Sequence, residues 1–219
     1  MKALLEKHVR AIELRKKGWS YSAIKKELGI AKSTASSWLN KYPLSHDQLD
    51  KLLFHNERRI EKFRATMAKK KQLLFDEAVR NQEMMIGDLT LKELYLIGLA
   101  LYWAEGGKTI YSELSISNTD PRMIRFCLEW LRRAIHYPNE NIRIKLHLYR
   151  DMDIETEIQY WMRITGLGKK HFSKPYIKPT TLKGLTHKTR GHGTCNIVAG
   201  GLKFSRPVFA GMDVLARTY

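Results

Sequence analysis

One carboxylate stands at the end of the most apolar run in the chain. The stretch GLALYWAEGG, residues 98–107, carries Leu99, Ala100, Leu101, Tyr102, Trp103 and Ala104 directly into Glu105, and two glycines follow. A carboxylate in the last turn of a helix meets the negative end of the helix dipole, so it is not there for helix stability. A divalent cation would offset that repulsion, and Mg2+ or Mn2+ takes such oxygen donors. Glu105 is therefore the first candidate for a metal ligand and for metal-assisted chemistry.

The elements that must position it follow from local pattern. Thr90, with Glu93 three residues on, is a capping box and predicts a helix from Leu91 through Ala104. Apolar on most of its circumference, that helix should be buried nearly all round, in a domain core or against a partner. Gly98, Ala100 and Ala104 are small enough to admit another helix closely. Beyond it, residues 108–117 alternate like a strand, and Thr119 or Asp120 caps a helix with Pro121 at its first position. ENIRIKLHLY sets Ile142, Ile144, Leu146 and Leu148 against Arg143, Lys145, His147 and Tyr149, a half-buried strand with a basic outer face. DIETEIQYWMRITGLG reads as a helix with a glycine stop, FSKPYIKPT and GTCNIVAG as strands, and LKFSRPVFAGMDVLAR as a last helix broken at Pro207.

Charge points to a partner. The net charge is +17, and it is concentrated at the two ends: residues 1–43 contribute +7 and 166–219 contribute +9, while 87–165 are nearly neutral. Two basic segments around a neutral one suggest two surfaces meeting one polyanion, a nucleic acid. No window reaches the length of a membrane span, and the charged N-terminus lacks a signal peptide's apolar centre. Cys127 and Cys195, far apart, make neither a disulfide framework nor a zinc ribbon. The expectation is a cytoplasmic, nucleoid-associated protein with no membrane partner.

Residues 1–43 hold three short helical patterns. Leu4, Leu5, Val9, Ile12 and Leu14 form the first, ending at Gly18; Ser20 caps the second, which carries Ala23, Ile24 and Leu28 inward. Gly29-Ile30-Ala31 makes a turn into a third with Ala35, Trp38 and Leu39. Its exposed face would be Lys32, Ser33, Thr34, Ser36, Ser37 and Lys41, hydroxyls and cations suited to phosphates and base edges in a major groove. GIAKSTASSWL resembles the turn and recognition helix of resolvase-like helix-turn-helix domains. Residues 44–86 are densely charged, with Ile60, Phe63, Met67 and Leu74 too sparse for a core face. They read as a helical connector, one long or broken helix that is a solvated spacer, lies along a DNA backbone or helps a dimer form.

The segment GLALYWAEG resembles the motif of the LAGLIDADG homing endonucleases, apolar and small residues followed by an acidic residue and glycine. The resemblance covers roughly residues 90–217. It implies an α+β fold with a saddle-shaped sheet, two motif helices packed side by side, and terminal acidic residues holding divalent metal at the scissile phosphates. Glu105 takes the acidic position, and Gly98, Ala100, Leu101 and Ala104 would lie on the helix–helix interface. One motif per chain implies a homodimer. The chain departs from the family in a short stretch after Gly106, an additional helix over 153–165, and Glu where Asp is commoner.

Phosphodiester hydrolysis needs oxygen ligands, a water nucleophile and a cation near the phosphate. Glu105 supplies the ligand and Lys108, Lys178 and Lys174 are the candidate cations, Lys178 because it lies on a late strand with apolar neighbours. The basic tail, with Lys174, Lys178, Lys183, Lys188 and Arg190, would grip the backbone beside Arg143 and Lys145. His187, His192 and Cys195 make an incomplete zinc set, and Cys195 alternating with Ile197 reads as strand core. No glycine-rich nucleotide loop occurs, so no nucleotide cofactor is expected. The expected organisation is a helix-turn-helix over 1–43, a helical connector over 44–86 and a LAGLIDADG-like domain over 87–219. The expected partner is double-stranded DNA, bound either by an endonuclease or by a regulator that uses the same fold only to grip.

Overall fold

A computed structural model describes residues 2–52, 55–181 and 191–218. It is mixed α+β and divides into two compact units, residues 1–87 and 88–219. No helix among the described residues is long and apolar enough to cross a membrane.

The first unit packs α1 (Lys2–Lys16), α2 (Tyr21–Leu28) and α3 (Lys32–Leu39) around a small core of Ala11, Leu14, Tyr21, Ile24, Ile30, Ala35 and Leu39. Ser20 caps α2 by accepting from the Ala23 amide, and Gly29 ends it in the left-handed conformation (φ 59°) that favours glycine. Ile30 and Ala31 then lead into α3. The inner face of α1 differs from the expected one. Leu14 is buried as expected, but Leu4, Leu5 and Val9 are exposed, and Ala11 and Arg15 turn inward with Leu14. α4 (His46–Asp50), a first short piece of the helical segment expected over 44–86, starts with a Ser45–Gln48 capping box.

α5 (His55–Ile86) is a single helix of 32 residues, and it is more than a connector. Its Glu61 is buried within the first unit and pairs in a two-pronged bridge with Arg15, Nη2 to Oε2 at 2.8 Å and Nη1 to Oε1 at 3.3 Å. Arg15 also donates to the carbonyls of Tyr42 (2.8 Å) and Trp19 (2.9 Å), and the Tyr21 amide donates to Glu61. This satisfied network fixes the start of α5 to the three-helix core.

The second unit is a four-stranded mixed sheet with helices on one face. Its elements are α6 (Leu91–Glu105), β1 (Glu113–Asn118), α7 (Pro121–Glu129), β2 (Arg143–Tyr149), α8 (Ile154–Thr165), β3 (Tyr176–Lys178), β4 (Thr194–Gly200) and α9 (Leu202–Thr218). Strand order is β1-β4-β2-β3, antiparallel except for the β2–β3 pair. Leu114, Ile116, Ile144, Leu146, Leu148, Cys195, Ile197 and Ala199 point into a core shared with Trp130, Trp161, Tyr102 and Val208. That alternation is what a sheet with one buried face requires.

Three expectations change here. The strand expected from residue 108 begins only at Glu113, because the Gly107 amide donates to the Ser115 carbonyl (2.8 Å) and Gly106 bridges Ile116. The chain must therefore reverse within 108–112. The FSKPYIKPT strand shrinks to Tyr176–Lys178, with a proline on either side of it. α9 runs unbroken through Pro207, held by burial of Ser205, Val208, Phe209 and Met212. Tertiary packing outweighs the single lost hydrogen bond.

Candidate nucleic-acid interface

The sheet face opposite the helices carries the candidate site. Residues on it form rungs across the strands: Ser115, Val198 and Arg143; Ser117, Asn196 and Lys145; Thr194, His147 and Tyr176; Tyr149 and Lys178. Each is exposed or half-buried. Strand pairing spaces the rungs by two residues, so cations and hydrogen-bonding groups recur on a fixed grid. Such a grid suits a polyanionic backbone better than a small molecule.

The cations on it are held differently. Lys178 places its ammonium 4.8 Å over the Tyr149 ring, a cation–π contact that fixes it at one edge. Arg143 folds back, Nη1 donating to the carbonyls of Glu140 (2.7 Å) and Ile142 (3.0 Å). Lys145 makes no ion pair among the described residues. Burial, then Lys178 and Lys145, hold the His147 imidazole below its ordinary value, favouring its neutral form. The buried Asn196 Oδ1 has no hydrogen-bond partner on the middle rung.

Glu105 ends α6 at the opposite edge. The Thr90–Glu93 capping box starts that helix as the sequence implies, and the Thr90 hydrogen bonds hold the Glu93 carboxyl below its usual range. At the other end, pairing of Gly106 with Ile116 seats the helix tip against β1, the outermost strand. Gly106 leaves no room for a side chain there, because a Cβ would lie 2.5 Å from the Tyr102 carbonyl oxygen. Glu105 is exposed and has no ion pair among the described residues. Lys108 donates to the Gly106 carbonyl (2.8 Å), which keeps that cation at the helix tip. Lys178 does not join them. Three strand spacings separate β1 from β3, about 14 Å within one chain, and Lys174 precedes β3 on that far side.

No protein-family model, curated protein or solved structure matches this chain.

The small residues of α6 divide between two faces. Gly98 faces the core, where an added Cβ would lie 2.0 Å from Trp130 Cδ1, so its close approach is internal to the domain. That corrects its expected place on a helix–helix interface. Ala100, Ala104, Leu96, Ile97 and Trp103 are exposed on the other face, with half-buried Leu101 at the boundary. The expected all-round burial thus holds on only one side of the helix within a single chain.

In the first unit, Lys32, Ser33, Ser36, Ser37 and Lys41 are exposed and Thr34 is half-buried, while Ala35 and Leu39 anchor α3 beneath. Trp38 packs against His8 with ring centroids 4.8 Å apart. Lys183, Lys188, Arg190 and His187 lie outside the described residues. Cys195 is wholly buried in β4, and burial pushes the Cys127 thiol up to about 12 and raises the Cys195 thiol as well. Neither thiol is poised to bind metal. His192 instead places Nδ1 2.8 Å from Glu157 Oε2 and stacks on Tyr160. Sequence spacing gave no sign of this pair, 35 residues apart.

Proposed function

We propose that this protein binds double-stranded DNA as a homodimer and cleaves it as a metal-dependent endonuclease of homing type. The observation that carries the reading is the sheet face turned away from the helices, bearing Lys145, Arg143, His147 and Lys178, with Glu105 at the edge strand. In this reading the sheet lies along the duplex as a saddle, and α3 of the first unit enters a major groove. The exposed face of α6, Leu96, Ile97, Ala100 and Ala104 with half-buried Leu101 at its boundary, meets the same face of a second chain. A two-fold axis there brings two Glu105 side chains together. Their hard carboxylate oxygens fit Mg2+ or Mn2+, with phosphate oxygens completing the coordination. One carboxylate per chain makes only half of such a site, so the dimer is part of the chemistry. The metal would polarise the scissile phosphate and activate water. Lys108 at the helix tip is the nearest candidate cation.

A second reading is a regulator that grips DNA without cutting. The reversal at 108–112 favours it, because so short a hairpin offers little additional surface for base reading. The far-edge position of Lys178 favours it too. Incubation of the dimer with Mg2+ or Mn2+ and plasmid DNA carrying its own locus separates the two. The endonuclease reading predicts double-strand breaks that Glu105→Gln abolishes while duplex affinity stays within about twofold. Retention of DNA without nicking by the unmodified protein supports the regulator.

A further inference from the structure

A groove of about 450 Å3 opens in the first unit between α2, the start of α3 and α5. Buried Tyr21 and Ala35, exposed Ile60 and the cations Lys25, Lys26, Lys32 and Arg64 line it. We propose that this groove seats a phosphate of the DNA backbone, which makes α5 part of the DNA-contacting surface. The proposal rests on the reading that the chain binds DNA.

Four cations from three helices converge there. None of the three lysines has a carboxylate within ion-pair distance among the described residues. Like charges brought together without a counter-ion repel, and an anion in their midst reverses the sign. The acidic group close by, Glu61, is already committed: it is buried against Arg15 and accepts from Arg64 Nη1 at 3.4 Å. Arg64 is held rather than loose, its guanidinium 4.0 Å over the Tyr21 ring. Glu61 and Tyr21 thus act as positioning residues for Arg64. A planar guanidinium fixed in this way presents its remaining N–H groups to an oxyanion as a fork.

The position of the groove selects the source of the phosphate. Lys32 belongs both to the groove and to the exposed face of α3 with Ser33, Ser36 and Ser37. A strand lying along that face passes the groove mouth. The apolar part of the lining suits a deoxyribose, and the open mouth suits a continuous chain.

Binding of the full chain to a short duplex, followed over roughly 50 to 300 mM salt, tests this. Lys25→Gln with Lys26→Gln changes only exposed side chains; Arg64→Gln removes the stacked cation, and circular dichroism checks its fold. Lys145→Gln on the sheet serves as control for the DNA reading. Each lost phosphate contact lowers the slope of log K against log salt by about 0.9. The expected result is a loss of about one in slope for both groove variants, with roughly tenfold weaker binding at physiological salt. Unchanged slopes in both, with Lys145→Gln still reducing it, overturn the groove proposal and leave DNA binding intact. A wild-type chain that binds no duplex overturns both. Saturable binding of inorganic pyrophosphate, lost in the lysine double variant while the DNA slope stays, assigns the groove to a free phosphorylated molecule and overturns the backbone as its source.

Discussion

The two units display cations on different supports. In the first, seven buried apolar residues make a small core, and the buried Arg15–Glu61 bridge ties α5 to it. Its cations sit at helix starts and on long flexible side chains. In the second, a core more than three times larger lies under one face of a sheet, and alternate residues of β2 are pinned outward by register. A small core that relies on a buried charge pair is vulnerable at one point. A sheet distributes its support over every rung.

The largest expected effect breaks that contrast at the vulnerable point. Glu61→Ala leaves the Arg15 guanidinium buried without its charge partner, costing the first unit about 3 kcal/mol or more. Urea denaturation followed by probes in each unit should show the first melting early and the second unmoved. A common shift of both transitions would mean that the units do not unfold separately.

A smaller effect sharpens the division within α6. Gly98→Ala forces a methyl against Trp130 and should cost the second unit about 1 to 3 kcal/mol. Ala100→Arg, two residues away on the opposite face, should leave the thermal midpoint within a few degrees and, if the proposed dimer forms through that face, shift sedimentation to the monomer. Equal destabilisation by both would erase the distinction between core face and partner face.

The smallest effects compare cations on the sheet. Lys145→Gln should lower the salt slope of duplex binding by about one, and Arg143→Gln by less, because that guanidinium already serves two carbonyls. His147 adds a pH dependence. Its folded-state value lies below the ordinary one, so the unfolded chain takes up the proton first. As pH falls below about 6.5 the second unit loses stability, and the loss stops once pH passes the lowered value. His147→Gln should flatten that slope in denaturation at graded pH.

Much of this was legible in local pattern. The Thr90–Glu93 box, Pro121 after Asp120, Gly29, Gly166 and the alternation of Ile142 through Tyr149 each follow from backbone chemistry within a few residues. What was not legible depends on pairing at long range. Lys108–Ser112 alternates well enough for a strand, yet Gly106 and Gly107 already occupy the edge of β1. Lys178 reads as a late-strand cation, and only the strand order reveals that it is remote from Glu105. Gly98 looks like a partner-facing glycine until Trp130, on a separate element, fills the space above it. Glu61 and Arg64 read as solvated charge because their partners lie some 40 residues earlier.

In the proposed function the sheet face turned away from the helices, with Glu105 at its edge, lies against duplex DNA. Amide chemical-shift mapping of the isotope-labelled full chain on addition of a duplex tests it most directly. Perturbations should gather at Ser117, Lys145, His147, Asn196 and Lys178 and spare Arg163, an exposed cation of the helical layer. Shifts confined to the helical layer, or spread over every exposed cation alike, would contradict it.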